Sequence, residues 1–392
     1  MIQKVFALLA GIVTFAGART LAGEEQQPAQ AAVQNATENA ALEYWLAFAL
    51  MPTRDEPLDS ATTDSPKYGF AVPVRKEMAK YFERDGEAAL RHLHHGAQLS
   101  HCAWGMDLRR DGPTAAAPYA DKAHNLARVA LLRARWRFEH GQWKEGIDDV
   151  IATMMLGRHL GRDKIQYTVN FGCMLEGMST ATAAVYLPQM PASEREVLAK
   201  WLERLPPFTP MRDVFLYYEN AIDWAIGNFR QAENENRLGP LIDSLRVPEA
   251  ASTVLKAKSA KQLSEIAELA RPLLLAAADA LRLPPTEYER LYKERFAPRL
   301  KANPLAVALG PYYEIARVEE CVAACRLAML KAGIDVLNRG RPAVADHPDP
   351  YGEGPFELVN FPGGFELKSR LVFGEYHSQM DFGLRRMPAK AK

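Results

Sequence analysis

Between residues 119 and about 283 nearly every segment has the composition of an α-helix, and this restricts the possible folds more than any other feature. Ala, Leu, Glu and Arg dominate there, and proline occurs mainly at joints. Helices joined by short turns pack antiparallel to their neighbours. The sequence therefore predicts a mainly α fold, an irregular antiparallel helical array over residues 37–340. The predicted joints are Gly141, Pro188 with Pro191, Pro206 with Pro207, Gly239 with Pro240, and Pro284 with Pro285.

The last part of the chain changes from helix to turns and strands. Residues 310–338 carry one apolar stripe at 3-4 spacing and a second stripe on another side, which predicts a central, buried helix. The stretch that follows is rich in Gly, Pro and Asp. We expect residues 341–392 to form a turn-rich tail packed on the last helix, with a small C-terminal β-hairpin. Its strands are predicted at 356–360 and 365–372, around a Pro-Gly-Gly turn.

A stretch around Gly141 has the pattern of a tetratricopeptide-like helical hairpin. The first helix ends at Gly141, Trp143 follows two residues later as a wedge between the helices, and Gly146 allows a close approach. Arg137 stands where such repeats favour an apolar residue. No second copy follows at a period of about 34 residues. We therefore predict one such hairpin within an irregular array.

The first 23 residues have the layout of a signal peptide. Lys4 precedes an apolar run at 5–18, and small residues follow, with cleavage favoured after Ala22 or Gly23. The run is too short for a bilayer span of about 20 residues. Glu24 stands where a lipoprotein signal requires cysteine. We expect an exported protein, periplasmic or extracellular, without a stable membrane anchor after cleavage.

The segment after the signal peptide is predicted to lead into the first helix. Residues 24–36, rich in Gln and Ala, are typical of a disordered lead-in. Thr37 is a plausible N-cap for a helix that ends before Pro52. Only Glu43 is charged within residues 42–50, so we expect this helix to be mostly buried.

Composition and motifs exclude several function classes. The chain has 48 basic and 48 acidic residues, so it lacks the basic balance of a nucleic-acid binder. Four cysteines in a chain of 392 residues are not a disulfide framework. Cys321 and Cys325 are badly placed to bond to each other in a helix, whereas pairing of Cys102 with Cys173 stays open. We find no G-x-S-x-G, H-E-x-x-H, P-loop or c-type haem motif, and we predict no cofactor.

The stretch RHLHHGAQLSHC, residues 91–102, carries four of the nine histidines and a cysteine. If residues 88–102 form one helix, His94 and His101 flank its apolar face about two turns apart, too far to share one ion. Only His92 and His95 could chelate as a pair. The candidate metal or haem ligands are His92, His95, His101 and Cys102. The alternative is a partly solvated helix face whose histidines form hydrogen bonds across a joint.

Two weaker candidates lie elsewhere in the chain. His347, Asp349 and Glu353 offer ligands for Ca²⁺, although their spacing does not fit an EF-hand and Asp-Pro turns are common. An aromatic cluster could line a groove, and core packing is the commoner reading of such clusters. Its members are Tyr217, Tyr218 and Trp224.

Several stretches resemble a family of uncharacterised exported helical proteins from bacteria. They are NAALEYWLAFALMP, HCAWGMDLRRDGP, LARVALLRARWRFEHGQWKEGIDDVIATMMLGRHLGRD and DPYGEGPFELVNFPGGFEL. The last also resembles, to a lesser degree, the C-terminal segment of pseudopilin-like proteins, where a long helix is followed by Asp-Pro and a small sheet. The resemblance implies export and a mostly helical fold, and no activity.

The function expected from the sequence is binding of an unknown protein partner, or a scaffold role, without catalysis, because helical arrays present surfaces suited to it. The alternative is a metal- or haem-binding module that uses the 91–102 histidines. A hydrolase whose residues come from distant helices also stays open, and a pocket with convergent ionisable groups would indicate it.

Overall fold

The structure is mainly α-helical and ends in a small antiparallel sheet, as the sequence predicts. It is a computed structural model that describes residues 38–51, 70, 73–373 and 376–385. The predicted signal peptide, the lead-in and Thr37 lie outside the described residues. The described residues from Ala40 onward belong to one compact unit.

Among the described residues, the helices of the first half are α1 Ala40–Leu50, α2 Glu77–Lys80, α3 Glu87–Gln98, α4 Leu108–Asp111, α5 Tyr119–Glu139, α6 Trp143–Leu160, α7 Gln166–Tyr186, α8 Ala192–Arg204 and α9 Met211–Tyr217. Three of them have at least 18 residues, α5, α6 and α7. A π-turn at Tyr81–Asp85 joins α2 to Gly86, the residue before α3, and a 3₁₀ turn at Leu187–Gln189 follows α7.

The second half contains many short helices and one long one before the sheet. They are α10 Glu219–Asn234, α11 Leu238–Ser244, α12 Glu249–Lys256, α13 Ala260–Glu268, α14 Arg271–Ala280, α15 Pro285–Leu291, α16 Ala297–Ala302, α17 Pro304–Leu309 and α18 Ala316–Arg339. A π-turn at Tyr292–Phe296 precedes α16, and a 3₁₀ segment at Arg341–Asp346 follows α18. No helix among the described residues is both long enough and apolar enough to cross a bilayer.

Most of the predicted joints separate helices, and one is displaced. Gly141 lies between α5 and α6 with a φ of 75°, a conformation that glycine adopts without strain. The joint predicted at Gly239 and Pro240 is wrong, because both residues lie in the first turn of α11. Proline is tolerated there, since the N–H groups of a first turn have no partner within the helix. The chain turns instead just before, at Asn236, which also has a positive φ.

The hairpin of α5 and α6 is closed by an aromatic pair over a glycine. The rings of Phe138 and Trp143 stack with their centroids 5.8 Å apart. A Cβ added at Gly146 would lie 2.4 Å from the Phe138 ring, so only glycine permits this approach. Arg137, which stands where tetratricopeptide repeats favour an apolar residue, donates a hydrogen bond to the buried Asp149 at 2.7 Å. The tetratricopeptide-like character of this hairpin stays a prediction.

The long helix α18 begins later in the chain than predicted. The sequence predicts a helix from residue 310, whereas α18 begins at Ala316. The Gln166 side chain bonds the backbone N–H and the backbone carbonyl of Tyr312, and the Tyr313 carbonyl accepts from Tyr288. These backbone groups are therefore satisfied outside a helix. The later half of α18 is buried on two sides, as its two apolar stripes predict.

The C-terminal sheet has three strands, one more than predicted. Strands β1 Glu357–Phe361 and β2 Gly364–Phe373 correspond to the predicted hairpin. The third, β3 Tyr376–Phe382, pairs antiparallel with β2. In β3 every second residue from Ser378 onward is buried: Ser378, Met380 and Phe382. The alternation is not evident in the sequence, because the strand contains several polar residues. The sheet packs on α18 through one core cluster that contains Phe382 and Ile334.

We predict that Gly333→Ala destabilises the protein by about 1–3 kcal/mol, the usual cost of overpacking a core. A Cβ at Gly333 of α18 would lie 1.9 Å from the ring of Phe382, which is fully buried. Urea unfolding of the variant and the parent, each without residues 1–23, the predicted signal peptide, measures the loss.

The matched control is Gly227→Ala in α10, where no atom lies within 4 Å of the added Cβ. Alanine is the better helix former, so this control should leave stability unchanged or raise it by up to about 1 kcal/mol. Equal unfolding midpoints for the two variants would contradict the packing of sheet on helix.

Candidate functional site

The histidine stretch is not one helix, contrary to the geometry assumed from the sequence. Helix α3 ends at Gln98, and Leu99 is extended with a φ of −82° and a ψ of 137°. His101 and Cys102 therefore lie beyond the helix. Gly96, near its end, faces the Tyr44 ring of α1 at a distance that no larger residue would permit. The segment is thus divided between a helix face and an extended connection.

Two of the four candidate metal ligands, His92 and His95, contact the same carboxylate, that of Glu43. The Nδ1 atoms of His92 and His95 lie 2.6 Å and 3.2 Å from the same Oε2 of Glu43. Glu43 is the sole charged residue of α1, and its side chain is only 17% exposed. The two imidazoles therefore link α3 to α1 and satisfy a carboxylate that would otherwise be partly buried without a partner.

The other candidate ligands lie apart from this pair. His101 is exposed, and Cys102 is buried. Burial and the nearby Asp163 raise the pKa of the Cys102 thiol far above its ordinary value. Across the described ranges no group of three or more His, Cys, Asp and Glu side chains is arranged to hold a metal ion. Ligation by His92, His95, His101 and Cys102 stays a prediction.

His94 belongs to a buried charge network on the other side of α3. Its Nε2 lies 2.7 Å from Oδ1 of Asp149, which is fully buried. Arg133 donates to both Asp149 oxygens at 2.6 Å and 3.0 Å, and Arg137 donates at 2.7 Å. Burial alone would raise the pKa of the Asp149 carboxyl, but Arg133, His94 and Arg137 together hold it below its usual value.

Two of the three candidate Ca²⁺ residues, His347 and Asp349, are engaged with protein groups. His347 pairs with Asp335 at 2.8 Å. Asp349 is buried and accepts hydrogen bonds from the hydroxyl of Ser369 and from the backbone N–H groups of two other residues. Glu353 is exposed. Asp349 therefore closes a turn against β2.

The aromatic residues 217, 218 and 224 belong to a core cluster. Tyr218 is buried in that cluster, and Tyr217 and Trp224 pack against it half-buried. The Tyr217 hydroxyl donates to Asp107 at 3.2 Å. A ring of Trp224 lies against Gly112. Packing between α4, α9 and α10 accounts for these side chains.

Helix α1 is the unusual surface feature, because its exposed side is entirely apolar. We call this side the apolar face of α1; its members are Leu42 (50% exposed), Trp45 (37%), Leu46 (48%), Leu50 (44%) and Ala49, also exposed. At about 100° per residue these five positions share one side of the helix. The expectation of a mostly buried helix is therefore wrong for this side, since α3 and α5 cover the opposite one.

The buried side of α1 is fixed by aromatic stacking and one hydrogen bond. The rings of Tyr44 and Phe48 stack on Trp104, with centroids 5.6 Å and 6.2 Å away. The Tyr44 hydroxyl pairs with Nδ1 of His159 at 2.7 Å, and the indole N–H of Trp104 donates to the His159 carbonyl at 2.8 Å. These contacts hold α1 in one orientation, with its apolar face outward.

Comparison with protein-family models, with curated proteins and with solved structures finds no match for this chain. The interpretation of the site therefore rests on its geometry. One feature of the sequence indicates the apolar face, namely that residues 42–50 are nearly uncharged. A helix that is apolar on all sides does not show, however, which of its sides packs against a neighbouring helix.

His159 makes stability depend on pH. Burial, together with Arg162 and His101, lowers the pKa of His159 to about 4, and no partner for its Nε2 is found within the described part of the chain. The unfolded chain binds a proton near pH 6.5 and the folded one only near 4, so stability should fall as pH drops between these values. The loss should reach about 3 kcal/mol, which is 1.36 kcal/mol per pKa unit.

His159→Asn keeps an acceptor for Tyr44 and removes the titration. We expect its unfolding free energy to change less than that of the parent between pH 6.5 and 4. His140→Gln, a change at an exposed imidazole, should retain the parental pH dependence. The same pH slope in His159→Asn and the parent would contradict the role of His159.

Proposed function

We propose that the protein is an exported, non-enzymatic binding protein that docks a helix of a partner protein on the apolar face of α1. The observation that supports this most directly is the apolar face itself. A helix that is apolar on all sides is normally buried on all sides. Contiguous exposed apolar surface with a polar surround is typical of interaction sites.

The spacing of the apolar face indicates what covers it. Leu42, Trp45, Leu46, Ala49 and Leu50 stand at i, i+3, i+4, i+7 and i+8, the repeat through which two helices pack. From residue 42 to residue 50 the face runs about 12 Å at 1.5 Å per residue. A partner helix with an apolar stripe of two to three turns fits this length, and tryptophan is a frequent anchor in such interfaces.

The platform under this face is rigid, which favours binding. Glu43 is held by His92 and His95, and Tyr44 is held by His159 and the Trp104 ring. A surface that is already ordered loses little conformational entropy when a partner docks. The exposed side chains can therefore contribute apolar burial without a folding cost in α1.

A protein helix fits this face better than a membrane surface does. Helices that lie in a bilayer interface carry Lys and Arg on their polar side. Helix α1 contains neither, and its one charge, Glu43, is acidic. The side chains that pair with that charge are the imidazoles of two histidines, not a lysine or an arginine.

Leu46→Arg should abolish the complex with the partner while the protein stays folded, because Leu46 is already exposed. Val254→Arg is the matched control, since Val254 is 59% exposed on a different helix, α12. We expect quantitative capture from the exported fraction to show a protein that is lost with Leu46→Arg and retained with Val254→Arg. With that protein purified, calorimetry should show affinity weakened at least about tenfold, as for a residue at the centre of an interface.

Three outcomes would overturn this proposal. One is a set of captured proteins that does not differ between the two variants. Another is self-association that Leu46→Arg removes, which makes a second copy of the chain the occupant. The third is binding to lipid vesicles that Leu46→Arg removes, which makes the face a membrane contact.

Export itself is tested by the N-terminus of the secreted chain. Cleavage after Ala22 or Gly23 should give a first residue at position 23 or 24. Mass spectrometry of the protein recovered from the exported fraction measures this. Recovery of a chain that retains Met1 in the cytosolic fraction would contradict export.

A further inference from the structure

A pocket formed by three short helices of the second half, α14, α15 and α16, includes no residue of α1 and takes no part in the function proposed above. We call it the α14–α16 pocket; its volume is about 530 Å³. Small-molecule sites are clefts of about 300–1,000 Å³. The α14–α16 pocket is therefore large enough for an organic ligand.

One wall of the pocket comes from a segment with an excess of basic residues. Residues 289–301 run through α15, the π-turn and α16, and they contain five basic and two acidic residues. Glu289 pairs with Lys293 at 2.5 Å, and Glu294 pairs with Arg290 at 2.8 Å. Both acids of the segment are thus matched. The cations that form no ion pair with any described residue are Arg295, Arg299 and Lys301.

Two of these unpaired cations, Arg295 and Arg299, line the pocket, and both are exposed to solvent. Phe296 and Ala297 between them have helical backbone angles, so the chain stays helical from the π-turn into α16. Residues four apart on a helix are neighbours on one side of it, and like charges at this spacing repel each other. An anion bound to both guanidinium groups would remove that repulsion.

The carboxylates that line the pocket already have partners. Asp279 pairs with Arg212 at 3.4 Å, and Glu294 pairs with Arg290. Neither of these partner arginines is among the residues that line the pocket. Each carboxylate therefore has a cation of its own, whereas the two lining arginines have no counterion within the described chain. The charge that the pocket offers to a ligand is positive.

The remaining lining is apolar. It consists of Ala276, Ala280, Leu283, Leu291, Phe296 and Pro298. A hydrocarbon chain packed against these side chains would be removed from water, which is favourable in proportion to the area buried. The pocket thus combines an apolar wall with a few charged groups, the usual composition of a small-molecule site.

We propose that the α14–α16 pocket binds a carboxylate that carries a hydrocarbon chain. Arg295 and Arg299 donate hydrogen bonds to the carboxylate oxygens, and the chain lies against Leu283, Leu291 and Phe296. A guanidinium presents its N–H groups in a planar fork that matches a carboxylate. An alcohol offers the arginines no charge, an ammonium is repelled by them, and acetate has no chain to bury.

The test uses the folded chain without residues 1–23 and four probes: octanoate, 1-octanol, n-octylammonium and acetate. Calorimetry should show saturable binding of octanoate, and binding at least about tenfold weaker for each of the other three. The affinity for octanoate should also fall as salt is added, because salt screens exposed charges.

Three variants separate the charged end of the pocket from its apolar wall. Arg299→Gln should weaken octanoate binding at least about tenfold, because it removes one guanidinium. Lys301→Gln is the matched control; it makes the same change of charge on α16 at an exposed side chain outside the pocket and should bind like the parent. Ala276→Phe keeps both arginines but fills the pocket from an exposed position of α14, and it should weaken octanoate binding by a similar factor.

Each of several results would overturn the proposal. They are the absence of saturable octanoate binding, an affinity for 1-octanol or n-octylammonium that equals or exceeds that for octanoate, equal affinities in Arg299→Gln and Lys301→Gln, and an unchanged affinity in Ala276→Phe. Because none of these changes lies in α1, the outcome is independent of partner binding at its apolar face.

Discussion

The buried carboxylate of Asp149 is the interaction on which the arrangement of the first helices depends. It lies on α6 and joins Arg133 and Arg137 of α5 to His94 of α3. A buried charge without partners would be strongly destabilising, whereas bidentate arginine contacts compensate it. The network therefore fixes α3 against the hairpin of α5 and α6. A packing that displaced α3 would remove the His94 contact and leave Asp149 with the two arginines of α5 alone.

Once α3 is fixed by His94, its other histidines determine where α1 lies. His92 and His95 project from α3 to Glu43, and Gly96 admits the Tyr44 ring. A stretch that resembles a metal-ligand cluster in the sequence thus forms two sets of carboxylate contacts, one buried and one near the surface. Imidazole suits both, because it pairs with a carboxylate in a partly buried position without the full desolvation cost of a permanent cation.

The sequence predicted those parts of the fold in which local signals agree. Clear periodicity placed the later half of α18, and glycine with tryptophan placed the hairpin at Gly141. The prediction from sequence was wrong where a side chain distant in the chain determines the local structure. An example is Tyr312, whose backbone forms hydrogen bonds with the Gln166 side chain instead of continuing a helix. The prediction also missed β3, because polar residues mask the alternation there.

The apolar face of α1 leaves hydrocarbon in water, which costs free energy in proportion to area and is relieved by any complementary apolar surface. This condition selects a partner by shape and size rather than by the position of a single polar group. A helix with an apolar stripe of matching length meets it, because the five exposed positions of α1 follow the repeat through which two helices pack.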